Sequence, residues 1–150
     1  MSNDKTASPL PDLNRIIRDN RVGDFRSPNL ALGMRPVEFG VGTSQWIWET
    51  QPQAAINPFG TIQGGYLGVF VDEILSTAIG SVLGEDEWAV TAELKLSYVR
   101  ALTPQRLEGR GRMIRRTRTV AFMDAEVRNA AGEVAVIASS TWVVSQSGPR

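Results

Sequence analysis

Hydrophobic and polar positions change their period twice along this chain. The first eleven residues are polar, with Pro9 and Pro11, and are expected to fray. Asp12 then stands where a cap would start a short helix with Leu13, Ile16 and Ile17 on one face. Residues 20–36 carry Gly23, Pro28, Gly33 and Pro36 and read as an irregular lead-in. From Val37 the period is two: Val37, Phe39 and Val41 alternate with polar neighbours, then Trp46 and Trp48 do the same. That predicts a hairpin or one bent strand, ended by Pro52. The second stretch differs. From Gly64 the chain sets Tyr66, Leu67, Val69, Phe70, Val71, Ile74, Leu75, Ala78, Ile79, Val82 and Leu83 on nearly every face, which predicts a buried helix of about 20 residues and ~30 Å that Gly84 stops.

Past the acidic cluster Glu85-Asp86-Glu87 the period returns to two. Val90, Ala92, Leu94, Leu96 and Tyr98 are expected on one side of a strand, with Thr91, Glu93, Lys95 and Ser97 on the other. Pro104 separates this strand from a run in which Leu107, Gly109, Gly111 and Met113 alternate with Glu108, Arg110 and Arg112. A turn near Arg116-Thr117-Arg118, a strand through Val127, a loop at Asn129–Gly132 and a strand from Val134 to Val144 follow. Short turns make the last strands antiparallel neighbours. A helix apolar on all sides is covered only if the sheet curls around it, and its remaining side must meet something else, most simply a second copy. The fold class is therefore α+β: a curved antiparallel sheet around one long helix. The expected layout is a lead-in with a short helix over 1–35, a single domain over 36–146, and a tail over 147–150.

Composition narrows the chemistry. At 150 residues the chain makes one domain, and its 16 basic and 16 acidic residues leave no net field toward nucleic acid or a membrane surface. The central helix is too short, and too interrupted by Gly68, Asp72, Glu73 and Gly80, for a membrane span. The N-terminus has no apolar signal-peptide core, so a cytoplasmic protein is expected. The chain has no Cys and no His. That removes thiol and imidazole catalysis and thiolate or histidine metal sites. What remains is a pair of carboxylates, Asp72 and Glu73, set in an apolar helix with Ser76 and Thr77 one turn on. A carboxylate there is costly unless it is paired or used.

The run Asn57-x-x-Gly60-x-x-Gln63-Gly64-Gly65, an acidic residue nine positions after Gln63, and the strand Thr91-x-x-Leu94-x-x-x-Tyr98 resemble the hotdog-fold acyl-CoA thioesterases. Within them, the run is most similar to the phenylacetic-acid-pathway and 4-hydroxybenzoyl-CoA enzymes. The resemblance covers roughly residues 30–145 and is specific only over 57–98. It departs at Gln63, where the family commonly has His; Gln hydrogen-bonds but does not titrate.

The resemblance implies hydrolysis of an acyl-CoA to the free acid and CoA without a metal or an organic cofactor, with coenzyme A as part of the substrate. The Gly64 N–H would polarise the thioester carbonyl, Asp72 would attack or activate water, and Asn57 would position the thioester or water. Gln63, Gly65, Ser76 and Thr91 would bind or orient substrate. Eight helical residues rise about 12 Å, so Gly64 and Asp72 of one chain cannot hold one carbonyl between them. The site would lie across a homodimer, itself part of a dimer of dimers. Plainer readings stand beside these. Asp72 is equally a satisfied buried carboxylate, Asn57 an Asx turn, Glu73 a structural or interface charge, and Gly65 the residue that lets the helix start close to a strand. Trp46, Trp48 and Trp142 read as core or interface aromatics. Arg110, Arg112, Arg115, Arg116 and Arg118 are either a solvated hairpin or a clamp for the CoA phosphates, with Arg115 and Arg116 foremost. Tyr66, Phe70 and Phe59 would line a pocket for medium-chain or aromatic acyl groups. A non-catalytic acyl-CoA or lipid-binding module is the alternative function.

Overall fold

The computed structural model describes residues 10–146. The polar N-terminus through residue 9 and the tail 147–150 lie outside the described residues. Helix α1 (Leu10–Arg18) and a 3-10 turn (Pro28–Leu32) lead into strands β1 (Met34–Gly40) and β2 (Thr43–Trp48), then helix α2 (Gly64–Gly80). Strands β3 (Trp88–Tyr98), β4 (Leu107–Arg116), β5 (Val120–Arg128) and β6 (Val134–Ser145) complete the chain. The six strands form one antiparallel sheet in the order β1-β2-β4-β5-β6-β3. Helix α2 packs against β1 through β5, which gives the hotdog arrangement.

Three sequence expectations change in detail, and one open alternative is settled. The first helix, α1, starts at Leu10, two residues ahead of Asp12, where the pattern placed its cap. Residues 34–48 form a hairpin, turned at Gly42 with φ 68°. The last four strands are not all sequential neighbours: β4, β5 and β6 are, but β3 crosses to the far side and pairs with β6 as an edge strand. Finally, α2 has 17 residues and ends at Gly80 rather than running to Gly84. The physical reason is tertiary. A Cβ at Gly80 would run into Ile17 of α1, so this glycine lets the two helices meet. Past it, Ser81 Oγ donates to Ala78 O and accepts from Gly42 N–H, both at 2.7 Å, and the chain turns away.

The helix is seated by glycines on the facing strand. Cβ atoms at Gly109 and Gly111 of β4 would overlap Ile74, so the bare backbone there sets how closely helix and sheet approach. Ser44 Oγ donates to Ile74 O at 2.6 Å, and Trp46 Nε1 donates to Thr77 Oγ1 at 2.9 Å. Trp46, Trp48 and Trp142 are buried, as expected of core aromatics. Phe25 of the lead-in stacks edge-on against Phe39 and Trp46.

The lead-in does more than precede the domain. Asn14 Nδ2 donates to Gly84 O and Glu87 O, Arg18 donates to Leu83 O, and Asn29 donates to Glu73. The strap over residues 13–33 thus covers part of the helix surface that the pattern assigned to a second copy. A stripe of α2 stays uncovered: Gly65 is exposed, Val69 is 37% exposed, and Asp72 and Ser76 are partly buried.

Candidate functional site

Thr91 reaches α2 because β3 is irregular. The register with β6 shifts between Thr91 and Glu93, leaving Ala92 as an extra residue. That bulge breaks the expected alternation. Val90 and Ala92 are exposed instead of facing the core, while Leu94 and Leu96 face inward as expected. Thr91 turns to the helix side, and its hydroxyl donates to Asp72 Oδ1 at 2.7 Å. Among the described residues no donor engages Asp72 Oδ2. Asp72 is therefore oriented through one oxygen, with the other available on the open stripe of α2.

Gly64 begins α2, and its N–H has no acceptor among the described residues. It points out of a helix N-terminus, where unpaired N–H groups and the dipole favour negative charge. The Gly64 carbonyl accepts from the Tyr98 hydroxyl at 2.7 Å. A Cβ at Gly64 would sit 3.1 Å from that ring, whereas one at Gly65 would meet nothing within 4 Å. The close approach to a strand expected of Gly65 belongs to Gly64, and Gly65 is open. Gln63 caps the helix with its backbone alone and has an exposed side chain.

Asn57 works inside its own loop. Its Oδ1 accepts from Phe59 N–H and Thr61 N–H at 3.0 and 3.1 Å, and its Nδ2 donates to Thr61 Oγ1 at 2.7 Å. Those bonds are an Asx turn, with Gly60 at φ 77° completing the bend. Ser76 Oγ donates to its own helix at Glu73 O, 2.9 Å away, and contacts no Asp72 oxygen. Tyr66, Phe70 and Phe59 do not form one wall: Phe70 is buried against Trp48, and Phe59 is 91% exposed.

Glu73 points away from this group. It is buried, and its Oε2 accepts from Asn29 Nδ2. Burial pushes its carboxyl above the ordinary value of 4.5; hydrogen bonds from Asn29 and Ser27 pull the other way, and the Asp72 charge adds to the rise. Asn29 carried no signal in the sequence, because its partner is 44 positions away in a different element.

The arginines divide. Arg112 forms a bidentate pair with Asp124 at 2.7 and 2.8 Å. Arg116 is tied to Val82 O and Glu87. Arg115 and Arg118 are exposed, with no ion pair among the described residues. No group of His, Cys, Asp and Glu among the described residues could hold a metal ion. No helix there is long and apolar enough to cross a membrane.

Solved structures share this architecture. A phenylacetic acid degradation-related protein of Ralstonia eutropha JMP134 is 25% identical with TM-score 0.75, covering 87% of this chain and 98% of its own. A thioesterase of Haemophilus influenzae is 18% identical with TM-score 0.76, covering 97% and 96%. The E. coli PaaI protein from the phenylacetic acid degradation operon is 16% identical with TM-score 0.75, covering 87% and 94%. No curated protein sequence matches the chain. Residues 59–136, more than half of the chain, match the thioesterase superfamily, and with Gly64 and Asp72 inside that span, the chain belongs to this superfamily.

Proposed function

We propose that the protein hydrolyses an acyl-CoA thioester to the free acid and CoA. The observation that carries this reading is Asp72. It is a partly buried helix carboxylate, fixed at Oδ1 by Thr91, with Oδ2 unengaged on the uncovered stripe. Asp72 would serve as general base for water or attack the thioester itself. The Gly64 N–H would stabilise the oxyanion, an interaction of about 10²–10³ in rate at comparable sites. Asn57 would hold the 57–61 turn at the site entrance, beside Gln63 and Gly65.

Because Gly64 and Asp72 lie about 12 Å apart along one helix, the working site would pair Gly64 of one protomer with Asp72 of another. Edge strand β3 and the exposed Val69 and Val90 support a homodimer. Exposed Phe122, Ile137 and Val143 on the outer sheet face support a further pairing of dimers. Ser76 would contact the acyl group, and Arg115 the CoA phosphates. Arg116 would support that contact from its anchored position.

Turnover of a panel of acyl-CoA thioesters tests the proposal directly. Hydrolysis that is lost in Asp72→Asn supports it. Binding of acyl-CoA with no turnover of any member would replace it with the non-catalytic acyl-CoA-binding module.

A further inference from the structure

Strand β3 carries two hydroxyl groups to α2. Thr91 reaches Asp72, and the Tyr98 hydroxyl donates to Gly64 O at 2.7 Å. The two residues are seven apart, an odd number, so an unbroken strand would turn them to opposite faces. The extra residue at Ala92 reverses the faces between them and sets both on the helix side. One irregularity thus brings one strand into contact with both of the groups that the proposed reaction uses.

The Tyr98 bond is not required to close the fold. Tyr98 is exposed, and water would satisfy the Gly64 carbonyl in its place. The end of β3 is held independently, by Val99 N–H and Arg100 N–H on Ala135 O. The effect of the hydroxyl falls instead on the start of α2. Gln63 O accepts from Tyr66 N–H at 3.0 Å and from Leu67 N–H at 3.3 Å, while the N–H groups of Gly64 and Gly65 have no acceptor among the described residues. Gly64 O belongs to the same peptide unit as the Gly65 N–H. A carbonyl that accepts a hydrogen bond polarises its amide, so the N–H of that amide becomes a stronger donor. The bonds to Gln63 O act in the same way on the Gly64 N–H. Two adjacent N–H groups at the end of α2 are therefore free and polarised, and one of them is tuned from β3.

We propose that Tyr98 is a positioning residue for hydrolysis, acting through Gly64 O on the two N–H groups that receive the oxyanion; the proposal rests on the thioesterase reading above. That reading pairs Gly64 of one protomer with Asp72 of another, so each β3 serves two sites. Thr91 orients the carboxylate of one, and Tyr98 the oxyanion donors of the other. Strengthening by roughly 10–30% of a contact worth about 10²–10³ in rate amounts to about two- to eightfold. Tyr98→Phe keeps the ring against Gly64 and removes only the hydroxyl, so kcat for acyl-CoA is expected to fall about fivefold with KM unchanged. Mixed dimers, purified through two different tags, separate this role from a general loss of stability. With Asp72→Asn on one protomer and Tyr98→Phe on the other, the working site takes its donors from the chain that keeps Tyr98 and should give about half the parent kcat. With both substitutions on one protomer and a parent partner, the working site takes its donors from the Tyr98→Phe chain and should give about a tenth. Equal rates in the two mixed dimers, the reverse order, or an unchanged kcat in Tyr98→Phe itself overturns this proposal and leaves hydrolysis standing. No turnover of any acyl-CoA by the parent overturns the thioesterase reading, and this proposal with it.

Discussion

The Thr91 hydroxyl donates a 2.7 Å hydrogen bond to Asp72 Oδ1, joining an edge strand to the central helix at the one acidic residue on its uncovered stripe. Asp72→Asn is nearly isosteric and leaves the fold in place while removing base and nucleophile together. Turnover is expected to fall by about 10²–10⁴-fold with acyl-CoA binding retained. Thr91→Val removes only the orienting bond and should cost about tenfold, in line with one hydrogen bond to a charged group. Steady-state kinetics on both variants checks this. Parent-like hydrolysis by Asp72→Asn, with collapse in Glu73→Gln, would move the chemistry one residue along the helix.

The glycines of β4 set the height of α2. Gly111→Ala places a methyl group against Ile74 and should destabilise the protein by about 1–3 kcal/mol, the usual cost of overpacking. Trimming the opposing side chain in Gly111→Ala/Ile74→Val should recover part of that loss, since residues in contact do not contribute additively. Thermal or denaturant unfolding of the parent, both singles and the double variant measures the coupling. Strictly additive losses would show that the helix adjusts some other way.

Arg115 and Arg116 are expected to behave differently despite adjoining each other. Arg116 bonds Val82 O and Glu87, and the Gly84 N–H and then Arg116 hold the Glu87 carboxyl below its ordinary range. Arg116→Ala should therefore lower stability by about 1–3 kcal/mol. Arg115→Ala should leave stability within about 0.5 kcal/mol yet raise KM for acyl-CoA and not for shorter pantetheine thioesters. Equal KM changes for both substrate types would remove Arg115 from the phosphate contact.

Glu73 makes stability depend on pH in the direction opposite to a salt-bridged acid. Its folded-state carboxyl titrates above the ordinary 4.5, so the unfolded chain gives up that proton first as pH rises. Stability contributed at this position is full below that value, declines as pH climbs through the raised folded value, and stays reduced above it. Glu73→Gln removes the titration. The melting temperature of the variant relative to the parent should rise between mildly acidic and neutral pH. A difference that is flat or falls with pH would contradict a carboxyl strained by burial.

Much of this molecule was legible because its signals are local. The period of apolar residues from Tyr66 to Ile79 announces a helix too apolar to face water. The Asn57–Gly65 run announces a tight turn into that helix, and Asn57 and Gly60 do form one. The errors arise where a distant element decides the outcome. Gly84 looks like a helix stop, yet α2 ends at Gly80, where α1 packs. Alternation along 90–98 assigns Thr91 to the wrong side because one extra residue at Ala92 reverses the strand's faces, and a bulge has no signature in alternation itself. Tyr98 stood in the motif without a role until Gly64 O came within 2.7 Å of its hydroxyl. Asn29 sat in a stretch read as irregular, and only the fold brings it to Glu73.

The strap over residues 13–33 lies wholly outside the stretch 59–136 that the superfamily shares, yet it walls the space beside Glu73. The wall of that space is thereby written on two separate lengths of one chain. Substitutions at Ile17 or Phe25 remodel it without touching Asp72, Thr91 or Gly64. Two chains alike throughout the shared stretch can therefore differ in the space beside α2, and grafting one strap onto another's core exchanges that wall alone.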